Sequence, residues 1–145
     1  MRLWRAHGWL AVGVLCAAAA GCGQSKVTQC NALVRVTRKA SESLAKTSKP
    51  SPDSQAPPSL RALADVMDLA AGEAARTELA LPELTRFSAE YQEFAKGVSA
   101  AARDMATASE ANQPDRVQAA TVKLTELATT EEQLFRRLND YCQGP

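Results

Sequence analysis

The stretch LTRFSAEYQEFAKGVSAAARDMATA, residues Leu84 to Ala108, decides the fold. Leu84, Phe87, Tyr91, Phe94, Val98, Ala101, Met105 and Ala108 recur at alternating intervals of three and four. On a helix of 3.6 residues per turn that rhythm places all eight side chains on one stripe. An apolar stripe this long does not stay in water, so the rest of the chain has to supply partner helices.

Those partners are visible on both sides. Leu81-Pro82 opens the long helix, because the residue before a proline avoids helical backbone and the proline itself suits a first turn. Upstream, Leu60, Leu63, Met67, Ala70 and Ala74 keep the same spacing over Ser59 to Ala80, with small residues narrowing the second half. Gly72 in that segment marks close packing or a bend. Downstream, Asn112-Gln113-Pro114-Asp115 breaks the long helix, with Asn112 as a cap for the fourth helix. Val117, Ala120, Leu124, Leu127, Glu131, Leu134, Leu138 and Tyr141 then carry the pattern onward. Nearest the start, Val27, Cys30, Val34, Thr37, Ser41 and Leu44 do so over residues 26 to 46, widened by Leu33 and Ala40. Residues 47–58, with Pro50, Pro52, Pro57 and Pro58, form a linker that excludes helix and serves as a connector. The expectation is an all-α domain over residues 26–145, an antiparallel up-down-up-down four-helix bundle.

Composition bounds the rest. At 145 residues, 46% apolar, with a formal net charge of +1, the chain makes one core, and no nucleic acid partner is expected. Arg2 and Arg5 precede an apolar run from Leu10 to Ala20, too short for a permanent span and of the length of a secretory leader. That leader ends Ala19-Ala20-Gly21-Cys22, which resembles the lipobox of bacterial lipoproteins, with Ala19 where Leu is usual. The resemblance implies that residues 1–21 are a signal peptide removed on export and that lipidation falls on Cys22. Residues 22–25 then tether the domain, and the membrane is a partner through the lipid anchor. Gly23 follows that cysteine where inner-membrane retention would favour Asp, so the expected address is the bacterial cell envelope, at the outer membrane facing the periplasm.

Processing also bears on the cysteine count. Cys16 leaves with the leader and Cys22 is taken by lipid, leaving Cys30 and Cys142. An oxidising compartment allows them to pair as a disulfide. The bundle topology brings the start of the first helix and the end of the fourth to one pole, which agrees with that pairing.

The first helix is the basic one: Lys26, Arg35, Arg38, Lys39, Lys46 and the nearby Lys49 face a single acid, Glu42. The expectation is a solvated face whose charges pair with acids on neighbouring helices. The alternative is attraction to an anionic leaflet.

Groups for catalysis are scarce. The one histidine, His7, lies in the leader, which leaves the domain without the imidazole of hydrolytic triads, common zinc sites or haem ligation. No metal or cofactor is expected. Carboxylates remain: Glu90 and Glu93 on the third helix, and Glu126, Glu131 and Glu132 on the fourth. Glu131 interrupts an apolar stripe and is a candidate polar core site, with Lys39 or Lys96 as partner, unless the helix drifts so that Ala128 and Phe135 face inward. Phe87, Tyr91 and Phe94 read as a core cluster. The expected function is non-catalytic binding or structural support through an envelope protein partner. The alternatives are a small-molecule or lipid-binding bundle and, after it, an enzyme using carboxylates only.

Overall fold

The computed structural model describes residues 25–47 and 59–144; the expected leader, Cys22 and residues 48–58 of the linker lie outside the described residues. Four helices run in order: α1 (Lys26–Thr47), α2 (Leu60–Arg76), α3 (Pro82–Glu110) and α4 (Pro114–Gln143). Cross-helix contacts run in opposite directions along each successive pair. Lys39 of α1 meets Glu73 of α2, and Ser88 and Arg103 of α3 meet Ala74 and Asp65 of α2. Arg137 of α4 meets Glu90 of α3. The architecture is an antiparallel, all-α four-helix arrangement. α1 meets α4 only sparingly, so the ring of four is closed at one pole and open towards the other.

α3 is the central helix because it is buried on two sides. Of the stripe read from the sequence, Leu84, Phe87, Tyr91, Phe94, Ala101 and Ala108 are buried, and Val98 and Met105 half-buried. A second stripe of small residues, Ser88, Ala95, Ser99, Ala102 and Ala106, is buried as well. The Ser88 hydroxyl donates to the Ala74 carbonyl (3.0 Å). The same carbonyl accepts from the Thr77 N–H (3.2 Å), so Ser88 gives the end of α2 a second donor.

Local chemistry sets the boundaries. Ser59 caps α2, its side chain accepting from the Ala62 N–H (3.1 Å). α2 stops at Arg76, four residues before the Ala80 expected from its pattern. The Thr77 hydroxyl turns back onto the Glu73 carbonyl (2.9 Å), and the N–H groups of Ala80 and Leu81 are held by a side chain of another helix. That side chain is Gln29. It is 1% exposed, and its amide oxygen accepts from both Ala80 (2.7 Å) and Leu81 (3.0 Å).

Asn112 does not cap α4 as its position suggested; it closes α3. Its φ of 51° is left-handed. Asn112 N–H donates to the Ser109 carbonyl (3.2 Å) and Gln113 N–H to the Ala108 carbonyl (2.9 Å), the paired bonds of a Schellman motif. Asparagine tolerates that backbone better than most residues with a Cβ.

The glycines divide differently from expectation. A Cβ on Gly72 would meet only the flexible end of Arg76, 3.3 Å away, so Gly72 marks neither a tight contact nor a required bend. A Cβ on Gly97 would come within 3.1 Å of Leu127 Cδ2, so Gly97 marks a close approach of α3 and α4.

α1 is rotated from the expected face. Cys30, Leu33, Val36 and Ala40 are buried together with Gln29, while Val27 and Val34 point outwards at 63% and 46% exposure. The apolar valines suggested the inward stripe; the buried polar Gln29, committed to the α2–α3 corner, turns it.

Candidate functional site

The two cysteines expected to pair are bonded. Cys30 and Cys142 form a disulfide across 5.9 Å between Cα atoms, joining the start of α1 to the end of α4. Beside it the Lys26 ammonium donates to the Gly144 carbonyl (2.8 Å) and lies 4.6 Å from the centre of the Tyr141 ring. The tilted ring pairs Phe87–Tyr141, Tyr91–Phe94 and Tyr91–Phe135, 6.0–6.2 Å between centres, fill the space above. Phe87, Tyr91 and Phe94 are all under 6% exposed, so the aromatic cluster is core and offers no open ligand box.

Glu131 is half-buried on the α4 face that looks towards Tyr91. Neither expected cation reaches it. Lys39 pairs with Glu73, and Lys96 pairs with Glu93 (3.4 Å) on its own helix. Among the described residues Glu131 makes no hydrogen bond or ion pair, and burial pushes its carboxyl above the ordinary value. The Tyr91 hydroxyl is pushed up to about 12, first by burial and then by the charges of Glu131 and Glu73. Phe135 does share the inner surface, packing against the core, while Glu131 takes the rim.

The other carboxylates are each engaged by a cation. Glu90 is held by Arg137 across the α3–α4 interface and by Arg86 (3.7 Å), Glu126 by Lys123 (3.6 Å) and Glu132 by Arg136 (3.0 Å). Such exposed pairs contribute about 0–1 kcal/mol each to stability. Each of these acids faces a separate cation, and the arrangement does not assemble two carboxyls that share a proton.

Two clusters escaped sequence reading. Arg103 bridges Asp65 and Asp68 (2.8 Å each) and touches the Ser99 hydroxyl. The Ser99 hydroxyl, and after it Arg103, hold the Asp68 carboxyl below its usual value. The i, i+4 spacing of Ser99 and Arg103 was the available signal. The second is Gln29, for which its place among apolar residues was the only signal.

The surface carries an open groove of about 450 Å³ between α3 and α4, floored by Ala89, Phe94, Leu127 and Leu134 and edged by Glu90, Glu93 and Arg137. Other open depressions, of about 130 to 420 Å³, flank α1 and α2 or lie between the far ends of α3 and α4. No group of three or more metal-ligating side chains occurs among the described residues. No helix among them is long and apolar enough to cross a membrane.

The basic helix pairs its charges only in part. Lys39 reaches Glu73 across to α2, and Arg38 lies 3.5 Å from Glu42 on its own helix. Arg35, and Arg76 across the groove, make no ion pair among the described residues. No protein-family model matches the chain, and comparison with curated proteins and with solved structures finds no match either.

Proposed function

We propose that this chain is a lipid-anchored protein of the bacterial cell envelope with a non-catalytic binding or structural role exercised through protein contacts. The Cys30–Cys142 disulfide carries the reading. Such a bond persists in an exported protein and is rare in the reducing cytosol. It therefore supports the same route as the lipobox-like leader ending at Cys22. The anchor on that cysteine would hold the domain at the outer membrane, facing the periplasm.

The binding role is supported by what the surface offers. The core is filled by aromatic and aliphatic side chains, and the depressions are open grooves suited to another protein's helix or loop. The apolar floor of the α3–α4 groove also favours a second reading, a small hydrophobic molecule or lipid as ligand.

The test has two arms. Mass measurement of the mature chain should find residues 1–21 absent and acyl groups on Cys22; an unmodified N-terminus refutes the anchoring. A photo-crosslinking side chain placed at Thr130, in the groove, should give one discrete protein adduct in intact cells, absent when the same group is placed at Ser109. Native mass spectrometry that finds a small molecule retained in place of any protein adduct would favour the second reading.

A further inference from the structure

The outward face of α1 differs in charge from the rest of the surface. Val27, Asn31, Val34, Arg38 and Ala45 succeed one another at helical spacing on the side away from the core, with Arg35 and Glu42 on the flank. Val27 and Val34 stand 63% and 46% exposed there, as Leu69 of α2 and Val122 of α4 do elsewhere, so it is the charge that sets this face apart. Arg76 of α2 joins Arg35 across the α1–α2 groove. α1 carries five cations against one carboxylate, whereas α2, α3 and α4 each carry more carboxylates than cations. A nearly neutral chain is thus polarised, with its positive charge gathered on one helix.

We infer that this face is a membrane contact: α1 lies along the bilayer surface, with Arg35, Arg38 and Arg76 on anionic phospholipid headgroups and Val27 and Val34 at the acyl boundary. The inference rests on the anchored reading above and adds how the domain is oriented once anchored. Two observations select the lipid surface as occupant. The charge is complementary to an anionic leaflet, which attracts basic residues lying within about 10 Å of it. The chain outside the described residues also ends in the right place. From Cys22 to the first residue of α1 is four residues, which span at most about 14 Å when extended. A tether that short keeps the start of α1 beside the headgroups, and exposed aliphatic residues flanked by arginine suit the interface there. Lys39 is turned towards Glu73 of α2, whereas the Arg38–Glu42 pair is exposed and loose at 3.5 Å, which leaves Arg38 able to reach a headgroup.

Tryptophan quenching tests the orientation. The natural tryptophans, Trp4 and Trp9, both lie in the leader, so the processed chain carries none of its own. Val34→Trp on α1 and Val122→Trp on α4, 49% exposed in the native protein, replace comparable surface residues. Each full-length variant is expressed with processing intact, purified with its anchor and reconstituted into vesicles containing acyl-brominated lipid. One set is pure phosphatidylcholine and the other contains phosphatidylglycerol. The expected result is strong quenching at position 34 in the anionic vesicles, weaker quenching in the zwitterionic ones, and little at position 122 in either. Adding Arg35→Gln and Arg38→Gln, both exposed, should lower the ratio of membrane-contacting to free domains by up to about five-fold per residue. Equal quenching at 34 and 122, or equal quenching in both vesicle types, would overturn the inference. An anchored chain whose position 34 stays unquenched leaves the anchoring intact and removes this face assignment. An unacylated mass refutes the anchoring whatever the fluorescence shows.

Discussion

The half of the bundle around the disulfide is built from large side chains, and the half beyond it from alanine. Leu33, Leu84, Phe87, Tyr91, Phe94, Leu134 and Leu138 belong to one continuous buried cluster, joined by residues from all four helices. Farther along, Ala64, Ala101, Ala102, Ala106, Ala108 and Ala120 make the buried contacts. Between Pro114 and Gln133, Ala120 is the one residue of α4 that is fully buried. At the disulfide pole all four helices contribute to the cluster, and large side chains fill the space between them. Farther along, α2 and α4 each pack on α3 and not on each other, and small residues let them approach it closely. Apolar area is therefore concentrated at one end, and with it the stability that such burial supplies.

Four tests would break or sharpen that contrast. The largest effect is expected from replacing both Cys30 and Cys142 with alanine. Opening a loop with a sequence separation of 112 should cost about 4–5 kcal/mol in the chain-entropy model. Urea denaturation reads the loss, and hydrogen exchange should show α1 losing protection before α3. Next, Leu84→Ala in the four-helix half should cost about 2–5 kcal/mol. The half-buried Leu124→Ala in the alanine-rich half should cost only about 1 kcal/mol. Equal losses would show that the two halves are not built differently.

A smaller effect separates the glycines. Gly72→Ala should stabilise by up to about 1 kcal/mol, since only the Arg76 side chain has to move. Gly97→Ala should gain nothing, because Leu127 has to yield where α3 and α4 touch. The smallest effect is that of Glu131→Gln. Burial favours the protonated form, so the native state holds a proton that the unfolded chain has already released. Between the unfolded and the raised native pKa, stability consequently falls as pH rises. The variant removes that slope, and its thermal midpoint should exceed the wild type's by a margin that grows as pH rises from about 4 and levels off above the raised native value.

The sequence was most legible where packing obeys one repeating pattern. α3 shows its burial directly: the residues at three-four spacing are those that face the core, and the proline at position 82 starts the helix as expected. Pairing of Cys30 with Cys142 was legible because the bundle topology brings the two chain ends to one pole. α1 was misread because Val27 and Val34 advertise an apolar face, while the true one contains a glutamine whose purpose depends on a corner fifty residues away. Hydropathy records how much a side chain dislikes water and nothing about which backbone amide needs it. The same blindness explains Asn112, whose side chain suggested a cap while its backbone conformation closed the preceding helix. At Glu131 the pattern showed an interruption without showing that its candidate partners were already engaged elsewhere.

Gln29 and Cys30 are adjacent, and between them they grip the rest of the molecule. One holds the backbone between α2 and α3, and its neighbour is covalently joined to the last turn of α4. The register of the whole assembly is fixed by a dipeptide near the beginning of the first helix. An insertion just after it would swing the remaining turns of α1 out of line while both grips held.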